Sequence, residues 1–430
     1  MPTSLDRRAF LTATASLAQT AASQDARPAS IGFIGVGNRG TSLLRTMLAV
    51  PGVEVPAICD INESNLARAQ GLVEKTGRRR PEGYSSGVED FRRLIGREDL
   101  HAVLIATPWN LHAPMALAAM KAGKYAAVEV PAALTLEESW ELVETSEKTG
   151  MPCMMLENVC YFRNVLMALN MVRQGLLGEL LHSEVGYQHF VRGSQFTKEG
   201  DLTWRGAYAA KRNGNQYPTH AIGPAAWWMN INRGDRFTYL NSMSSISRGP
   251  HLFATGKFGA EHPAARRTFA QGDVNTTLIK TENGLTVTLY YNTQSPRPYD
   301  LILRVQGTGG IYSGTLDKVF IDGRSPAGRN GEPAWEDSAV YYERYEHPLW
   351  KRLSAVAASS GHGGSDYITL HEFVKAVRNK TQTPIDVYDS VTWSAITPMS
   401  IQSVAARGAP VDFPDFTRGK WRTAKPVTLE

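Results

Sequence analysis

A glycine-rich loop near the start of the chain constrains its fold more than any other segment. Gly35, Gly37 and Gly40 form the pattern G-x-G-x-x-G between a short apolar run at 30–34 and an amphipathic segment at 41–49. In the phosphate-binding turn of a dinucleotide-binding unit, the first glycine permits the turn and the second admits the pyrophosphate. The third lets the helix pack closely on the strand. The loop therefore predicts an N-terminal Rossmann fold.

The residues around this loop indicate which dinucleotide it binds. Asp60 ends the next predicted strand, where a carboxylate accepts hydrogen bonds from ribose hydroxyls and repels a 2′-phosphate. NAD is therefore predicted rather than NADP, with its pyrophosphate at the N-terminus of the helix. Arg39 lies beside the loop, where it either offsets phosphate charge or is solvated at the surface.

The periodicity of the chain divides it into two domains. Strands and helices alternate up to residue 160, which predicts a doubly wound parallel sheet in an NAD-binding Rossmann domain at 29–160. Longer alternating strands follow and predict an α+β substrate-binding domain at 161–430, with a large, mainly antiparallel open sheet. The fold class is therefore α/β, and the exposed face of the second sheet is a plausible surface for a homo-oligomer.

The last third of the chain contains two kinds of segment. Residues 322–365 are rich in Gly, Pro and Ser and predict a long irregular stretch. Helices are predicted at 367–379 and 391–406, packed back on the Rossmann domain.

Charge and cysteine content exclude several classes of partner. The net charge of +5 is spread along the 430 residues, and no nucleic-acid-binding motif is present, so nucleic acid is not a predicted partner. Cys59, Cys153 and Cys160 lack metal-ligand spacing, and His182 and His189 make no persuasive metal site, so no metal is predicted.

The N-terminus is typical of an exported protein. Arg7 and Arg8 precede Phe10 and Leu11 and a modest apolar stretch at 11–22, which resembles a twin-arginine signal peptide over residues 1–28. An amphipathic helix with two chance arginines is the alternative. The stretch is too short and too weakly apolar for a stable membrane anchor. A periplasmic or secreted protein, exported folded with its dinucleotide, is therefore predicted.

Several motifs carry a family resemblance. The segment Ile-Ala-Thr-Pro-Trp-Asn-Leu-His at 105–112, followed by Val-Glu-Val-Pro at 128–131, resembles the glucose–fructose oxidoreductase and inositol dehydrogenase (Gfo/Idh/MocA) superfamily. More specifically, the segments at 129–133, 155–161 and 214–220 resemble glycoside hydrolase family 109, which holds NAD-dependent α-N-acetylgalactosaminidases. The last of these segments reads Gly-Asn-Gln-Tyr-Pro-Thr-His, and the similarity covers nearly the whole mature chain.

The resemblance implies which residues contact each ligand. On the substrate side it implies Tyr187, Arg205, Tyr217, Pro218, Thr219, His220 and Tyr299. On the cofactor side, with Gly35, Gly37 and Gly40, it implies Asn38, Arg39, Asp60, Thr107, Trp109, Asn110, Leu111, His112, Glu129, Val130 and Asn158.

Val130 departs from the dehydrogenases of the superfamily. These carry Glu-Lys-Pro where this chain has Glu129-Val130-Pro131, and their lysine helps to bind or deprotonate the hydroxyl that is oxidised. Valine transfers no proton, which disfavours an ordinary dehydrogenase mechanism. The alternative is that another side chain supplies the proton and that net oxidation still occurs.

A glycosidase can use NAD without consuming it. Oxidation at C3 of the sugar acidifies the C2 proton; removal of this proton expels the group at C1, and water addition and the reverse steps complete turnover. The predicted function is retaining hydrolysis of terminal α-linked N-acetylgalactosamine, on a glycan or small molecule, without net redox change. Tyr217 and His220 are the predicted catalytic pair, with Tyr217 an acid or base if its pKa is lowered. A periplasmic sugar oxidoreductase and a non-catalytic sugar sensor are the alternatives.

Overall fold

The N-terminal part of the computed structural model, which describes residues 27–429, is a parallel sheet flanked by helices. The six strands of its main path run in the order β4-β3-β1-β5-β6-β7, with β2 paired to β1. Every pair is parallel, and β1 is buried along its whole length, as expected for a sheet covered on both faces. The elements are β1 (Ala29–Ile34), α1 (Asn38–Leu48), β2 (Val53–Glu54), β3 (Ala57–Cys59), α2 (Glu63–Glu74), β4 (Glu82–Tyr84), α3 (Phe91–Ile95), β5 (Ala102–Ile105), α4 (His112–Lys121), β6 (Tyr125–Val128), α5 (Leu136–Thr149) and β7 (Cys153–Met155).

The C-terminal part is built on a nine-stranded mixed sheet in the order β15-β14-β13-β12-β8-β11-β10-β9-β16. Its neighbours are antiparallel except β8 and β11. Its elements are α6 (Arg163–Arg173), β8 (Leu180–Gln188), α7 (Trp204–Lys211), α8 (Thr219–Trp228), β9 (Phe237–Ser244), α9 (Gly249–Phe258), β10 (Asn275–Thr281), β11 (Thr286–Asn292), β12 (Asp300–Gly307), β13 (Gly310–Ser313), β14 (Lys318–Ile321), β15 (Glu336–Asp337), α10 (Ala339–Tyr345), α11 (Pro348–Ala357), α12 (Ser365–Asn379), α13 (Val387–Ala405) and β16 (Val411–Asp412). The predicted fold class is confirmed.

Local sequence signals explain where the helices begin and end. Helix α5 begins after Thr135, whose hydroxyl accepts a hydrogen bond from the Glu138 N–H, and ends at Gly150 with φ of 72°. Helix α13 begins at Val387, four residues earlier than predicted, because the Asp386 carboxylate caps it by accepting from the Asp389 N–H.

The prediction of a long irregular stretch at 322–365 is wrong in part. It contains β15, α10 and α11. Helix α11 buries Leu349, Trp350, Leu353 and Ala357, which recur at helical spacing on one face. The segments on either side of this helix are rich in Gly and Pro, which obscures the helical spacing of the four residues in the sequence. Pro348, at the first position of the helix, is nevertheless a signal for a helix start.

Two helices from the C-terminal part contact the Rossmann domain. Helix α12 packs on α1, next to the glycine-rich loop, and α13 packs on α5 and β7. The other face of α13 lies on β9 of the second sheet, so one helix is shared by the two sheets. These two helices therefore join the C-terminal part to the Rossmann domain.

The predictions of a homo-oligomer, of a signal peptide and of no stable membrane insertion concern features outside the two cores. On the second sheet, Tyr239, Met243 and Leu278 are exposed, and pairing of copies through this face stays a prediction. The predicted signal peptide lies almost entirely outside the described residues, so it also stays a prediction. Within residues 27–429, no helix has both the length and the apolar character needed to cross a membrane.

Candidate functional site

A cavity of about 600 Å³ lies where the carboxyl ends of the parallel strands meet the second domain. One end is lined by the glycine-rich loop and Asp60, and the other by Tyr187, Tyr217 and His220. Clefts at this edge of an α/β sheet are the usual position of ligands. The cavity therefore joins a nucleotide-like end to an end rich in aromatic and titratable side chains.

The three glycines of the loop serve different purposes. Gly35 has φ of 84°, a left-handed conformation that favours glycine. A Cβ on Gly40 would lie 2.0 Å from the carbonyl oxygen of Gly35, so this glycine permits α1 to pack against the loop. A Cβ on Gly37 would meet nothing within 4 Å. The protein itself leaves open the space beside Gly37, as expected where a pyrophosphate approaches the backbone.

Asp60 is oriented by backbone donors at the end of β3. Its Oδ2 accepts from the Val36 N–H at 2.7 Å and its Oδ1 from the Asn62 N–H at 2.8 Å. Because each carboxylate oxygen has a further lone pair, the group can still accept from ribose hydroxyls at the cavity. The loop and this carboxylate together fit a dinucleotide.

The glycine geometry predicts opposite effects for two matched substitutions. Gly37→Ala is expected to leave the melting temperature unchanged or slightly raised, because its φ of −64° and its open surroundings accept alanine. NAD affinity should fall about tenfold or more, equivalent to about 1.4 kcal/mol. Gly40→Ala is expected to destabilise the protein without ligand by about 1–3 kcal/mol. Thermal unfolding and NAD titration of both variants test this; tight NAD binding by Gly37→Ala would contradict it.

Arg39 is held between two carboxylates rather than being solvated. Its Nε donates to Glu129 at 2.7 Å and its Nη1 to Asp366 at 2.6 Å. Burial lowers the pKa of Arg39, but Glu129 and Asp366 outweigh burial and raise it, so the guanidinium stays charged. Asn158 donates to the second oxygen of Asp366 at 2.8 Å. This network joins the loop of the first domain to α12 of the second.

Sequence reasoning missed Asp366. The residue lies at the start of α12, far along the chain from the loop, and no motif identifies it. Burial raises the pKa of Asp366, but hydrogen bonds from His362 and Arg39 outweigh burial and hold this pKa well below 3.8. The carboxylate is therefore ionised at every pH at which the protein would work.

Removing the negative charge of Asp366 is expected to lower the stability of the protein by an amount that depends on pH. Asp366→Asn is expected to cost about 3–5 kcal/mol at neutral pH, because it leaves Arg39 with one carboxylate fewer. A carboxylate with a lowered pKa stabilises the fold above its unfolded pKa of about 3.9, and this contribution is lost as the pH falls through the lower folded value. Urea unfolding should therefore show a large difference from wild type at pH 7 and a smaller one near pH 3. Equal differences would contradict this.

His220 is paired with a fully buried carboxylate at the other end of the cavity. Its Nδ1 lies 2.7 Å and 2.9 Å from the two carboxylate oxygens of Glu157, which follows β7. Since a carboxylate accepts, Nδ1 carries the proton and Nε2 is left with a lone pair. Nε2 makes no hydrogen bond to another residue in 27–429. The arrangement presents an oriented base to the cavity, and Glu157 is a second residue that sequence reasoning did not single out.

Tyr217 lies against His220, with ring centroids 4.9 Å apart. Burial raises the pKa of Tyr217 well above its ordinary value of 10.0. The lowered pKa on which its use as a base depends is therefore absent, and the phenol keeps its proton. Tyr217 can donate a hydrogen bond to a ligand, whereas His220 can accept a proton.

The other predicted substrate residues are divided between the cavity and its surroundings. Tyr187 packs on both Tyr217 and His220, and Arg205 lies in the same wall. Tyr299 lines an adjoining cavity of about 650 Å³ that shares Tyr187 and His220. Burial raises the pKa of Tyr299 to about 12. Pro218 and Thr219 lie outside the walls of both cavities, so their contacts with substrate stay predictions.

Most of the predicted cofactor residues line the main cavity. Val130 is buried in its wall and presents an apolar surface where the dehydrogenases have lysine. The ring of His112 lies between two carbonyl oxygens, with Nδ1 2.7 Å from that of Pro131 and Nε2 2.8 Å from that of Thr107. Asn110 is exposed outside the wall, and its contact stays a prediction. The remaining predicted residues in the wall are Gly35, Gly37, Asn38, Arg39, Asp60, Thr107, Trp109, Leu111, Glu129 and Asn158.

Cysteine thiols and metal ligands are two further kinds of group that a site can contain. Cys59, Cys153 and Cys160 are buried as free thiols, and burial raises the pKa of each. In the part of the chain that the structure describes, no group of three or more His, Cys, Asp or Glu could hold a metal ion.

Comparison with known proteins identifies both parts of the chain. Residues 29–157 match the oxidoreductase family with an NAD-binding Rossmann fold, and residues 161–423 match the C-terminal domain of glycosyl hydrolase 109. A glycosyl hydrolase family 109 protein from Stenotrophomonas maltophilia is 42% identical, covering 98% of each chain. An alpha-N-acetylgalactosaminidase from Tannerella forsythia is 43% identical, covering 95% of this chain and 92% of the relative.

Solved structures show the same fold at lower identity. A levoglucosan dehydrogenase in complex with NADH superposes with a TM-score of 0.68 at 23% identity, over 90% of this chain and 100% of the other. The myo-inositol 2-dehydrogenase of Lactobacillus plantarum has a TM-score of 0.63 at 17% identity, over 90% and 100% of the two chains. The predicted cofactor, NAD, is confirmed by the match of residues 29–157 to the oxidoreductase family with an NAD-binding Rossmann fold.

Proposed function

Because the chain belongs to glycosyl hydrolase family 109 and binds NAD, we propose that it hydrolyses terminal α-linked N-acetylgalactosamine by a redox-neutral route. The protein is a glycoside hydrolase, as its relatives are. The sugar is proposed from the Tannerella forsythia relative, which is named for it. The observation that supports the mechanism is the oriented Glu157–His220 pair in the same cavity as the dinucleotide loop.

The chemistry follows from the acidity of a carbon next to a ketone. NAD, held by the glycine loop and Asp60, would supply the hydride acceptor for oxidation at C3 of the sugar and would return the hydride at the end of the turnover. The proton of the C3 hydroxyl would pass to water in the cavity and come back when C3 is reduced. With C3 oxidised, the C2 proton becomes acidic, and its removal breaks the C1–O bond and releases the aglycone as an alcohol. Water then adds at C1, the proton returns to C2, and C3 is restored. The sum of these steps is hydrolysis.

We assign the proton transfer at C2 to His220. Because Nδ1 donates to Glu157, Nε2 carries the lone pair of the ring, and His220 lines the cavity, so this nitrogen can accept a proton from a bound sugar. Glu157 is a positioning residue, since it fixes the ring and compensates the imidazolium once the proton is taken. Tyr217 keeps its proton and donates to the oxygen on C3, where charge develops in the enolate.

Val130 supports a route without net oxidation. The wall next to Glu129 presents an apolar side chain where the dehydrogenases have lysine, so this position cannot take the proton of a hydroxyl. Glu129 is itself engaged by Arg39. The titratable groups at this end of the cavity are therefore concentrated on the side of His220 rather than at the dehydrogenase position.

The proposal predicts which product accumulates. Purified protein given 4-nitrophenyl α-N-acetylgalactosaminide should release nitrophenol over many turnovers, while absorbance from NADH stays below one equivalent per protein. Steady NADH formation from the free sugar, without release of nitrophenol, would instead indicate an oxidoreductase.

His220→Ala should lower kcat/KM by about 10²–10⁴-fold, the usual contribution of a general base. Glu157→Gln should cost less, because the amide oxygen still accepts from Nδ1, whereas Glu157→Leu removes that contact. His251→Ala is the matched control, since His251 bonds the Ala265 carbonyl and lines neither cavity. Full activity of His220→Ala would overturn the assignment.

A further inference from the structure

A third, smaller cavity adjoins the site on the far side of Tyr187 and Tyr217. Its volume is about 230 Å³, and both tyrosines together with Arg205 form part of its wall. This volume lies below the range of roughly 300–1,000 Å³ that is typical of pockets for whole small ligands. The cavity therefore fits a substituent of a ligand that is held in the main cavity.

Two glutamines in the wall of this cavity retain unpaired amide atoms. Gln216 is 4% exposed, and its Nε2 has no hydrogen-bond partner among residues 27–429. Gln195 is 5% exposed and donates through Nε2 to Gln294, which leaves its carbonyl Oε1 without a partner in the same part of the chain. Buried polar groups are nearly always paired, so unpaired ones beside a cavity point to a partner that arrives with a ligand. The wall therefore offers an unpaired amide nitrogen, the donor on Gln216, and an unpaired amide oxygen, the acceptor on Gln195.

Arg205 adds further donors to this wall. Its guanidinium lies 4.4 Å from the ring centroid of Trp204 and 5.1 Å from that of Trp109. It makes no ion pair with a carboxylate in the described part of the chain. These two indole rings, whose centroids lie 4.9 Å apart, hold the group in place while its N–H donors stay available.

We propose that this cavity is the subsite for the 2-acetamido group of the sugar. The acetamido carbonyl would accept from Gln216 and Arg205, and its N–H would donate to Gln195. Its methyl group would lie against the apolar part of the wall, which includes Val191 and Ala209. This inference rests on the proposed function and deepens it, because it names the residues that distinguish an N-acetylhexosamine from a plain hexose.

The chemistry of other substituents fits the cavity less well. A carboxylate would satisfy Arg205 but has no hydrogen to donate to Gln195. A hydroxyl both donates and accepts but leaves most of the cavity unfilled. The position also agrees with the proposed reaction, because C2 carries both the acetamido group and the proton assigned to His220. Tyr217 contacts His220 on one side and lines the small cavity on the other.

The test compares two substrates that differ only at C2. The kcat/KM values for 4-nitrophenyl α-N-acetylgalactosaminide and 4-nitrophenyl α-galactoside are measured for wild type, Gln216→Leu and Gln195→Leu. Each substitution should lower the preference for the acetamido sugar about tenfold, the usual effect of one lost hydrogen bond. Gln271→Leu is the control, since Gln271 is buried outside this cavity and should leave the preference unchanged.

A second variant guards against loss of folding. If Gln216→Leu loses NAD binding or its thermal transition, Gln216→Glu retains the size of the side chain, removes the donor, and should lower the preference equally. An unchanged preference in folded Gln216 and Gln195 variants would overturn the subsite and leave the proposed function standing. Release of nitrophenol from neither substrate by the wild type would overturn the proposed function, and the subsite with it.

Discussion

The position of Arg39 between Glu129 and Asp366 connects the two halves of the molecule at the site. Arg39 lies within the glycine-rich loop at the start of α1, Glu129 follows β6, and Asp366 belongs to α12 of the C-terminal part. Each partner would be costly to bury alone, so the three groups stabilise one another only when both domains are in place. The cavity edge is therefore set by an interaction that neither domain can make by itself.

This constraint explains how a Rossmann domain becomes part of a hydrolase. Asp60 and the glycine loop stay where a dinucleotide needs them, while the second domain places His220 and Tyr217 in the same cavity. Glu157 makes a second link between the domains, since it follows the last strand of the parallel sheet and orients a histidine from α8. In the proposed mechanism, NAD and an oriented base act on neighbouring carbons of one sugar.

The sequence predicts the parts of this site that local patterns encode. Glycine spacing, a strand-ending aspartate and alternating elements predict the first domain, and the segment with Tyr217 and His220 predicts the other end of the cavity. Asp366 and Glu157 were missed because their partners lie 327 and 63 residues away in the chain. Such contacts follow from tertiary packing rather than from any local period. The high pKa of Tyr217 was likewise not predictable from the sequence, because its main cause is burial in the folded protein.

Hydrogen exchange at C2 of the sugar reports whether a proton is removed from this carbon during turnover. The protein is given 4-nitrophenyl α-N-acetylgalactosaminide in D₂O, and the released sugar is examined by NMR and mass spectrometry. Deuterium is expected to replace the C2 hydrogen in product formed during turnover, because a proton is removed there and returned from a base in contact with solvent. Hydrolysis with hydrogen fully retained at C2 would contradict it.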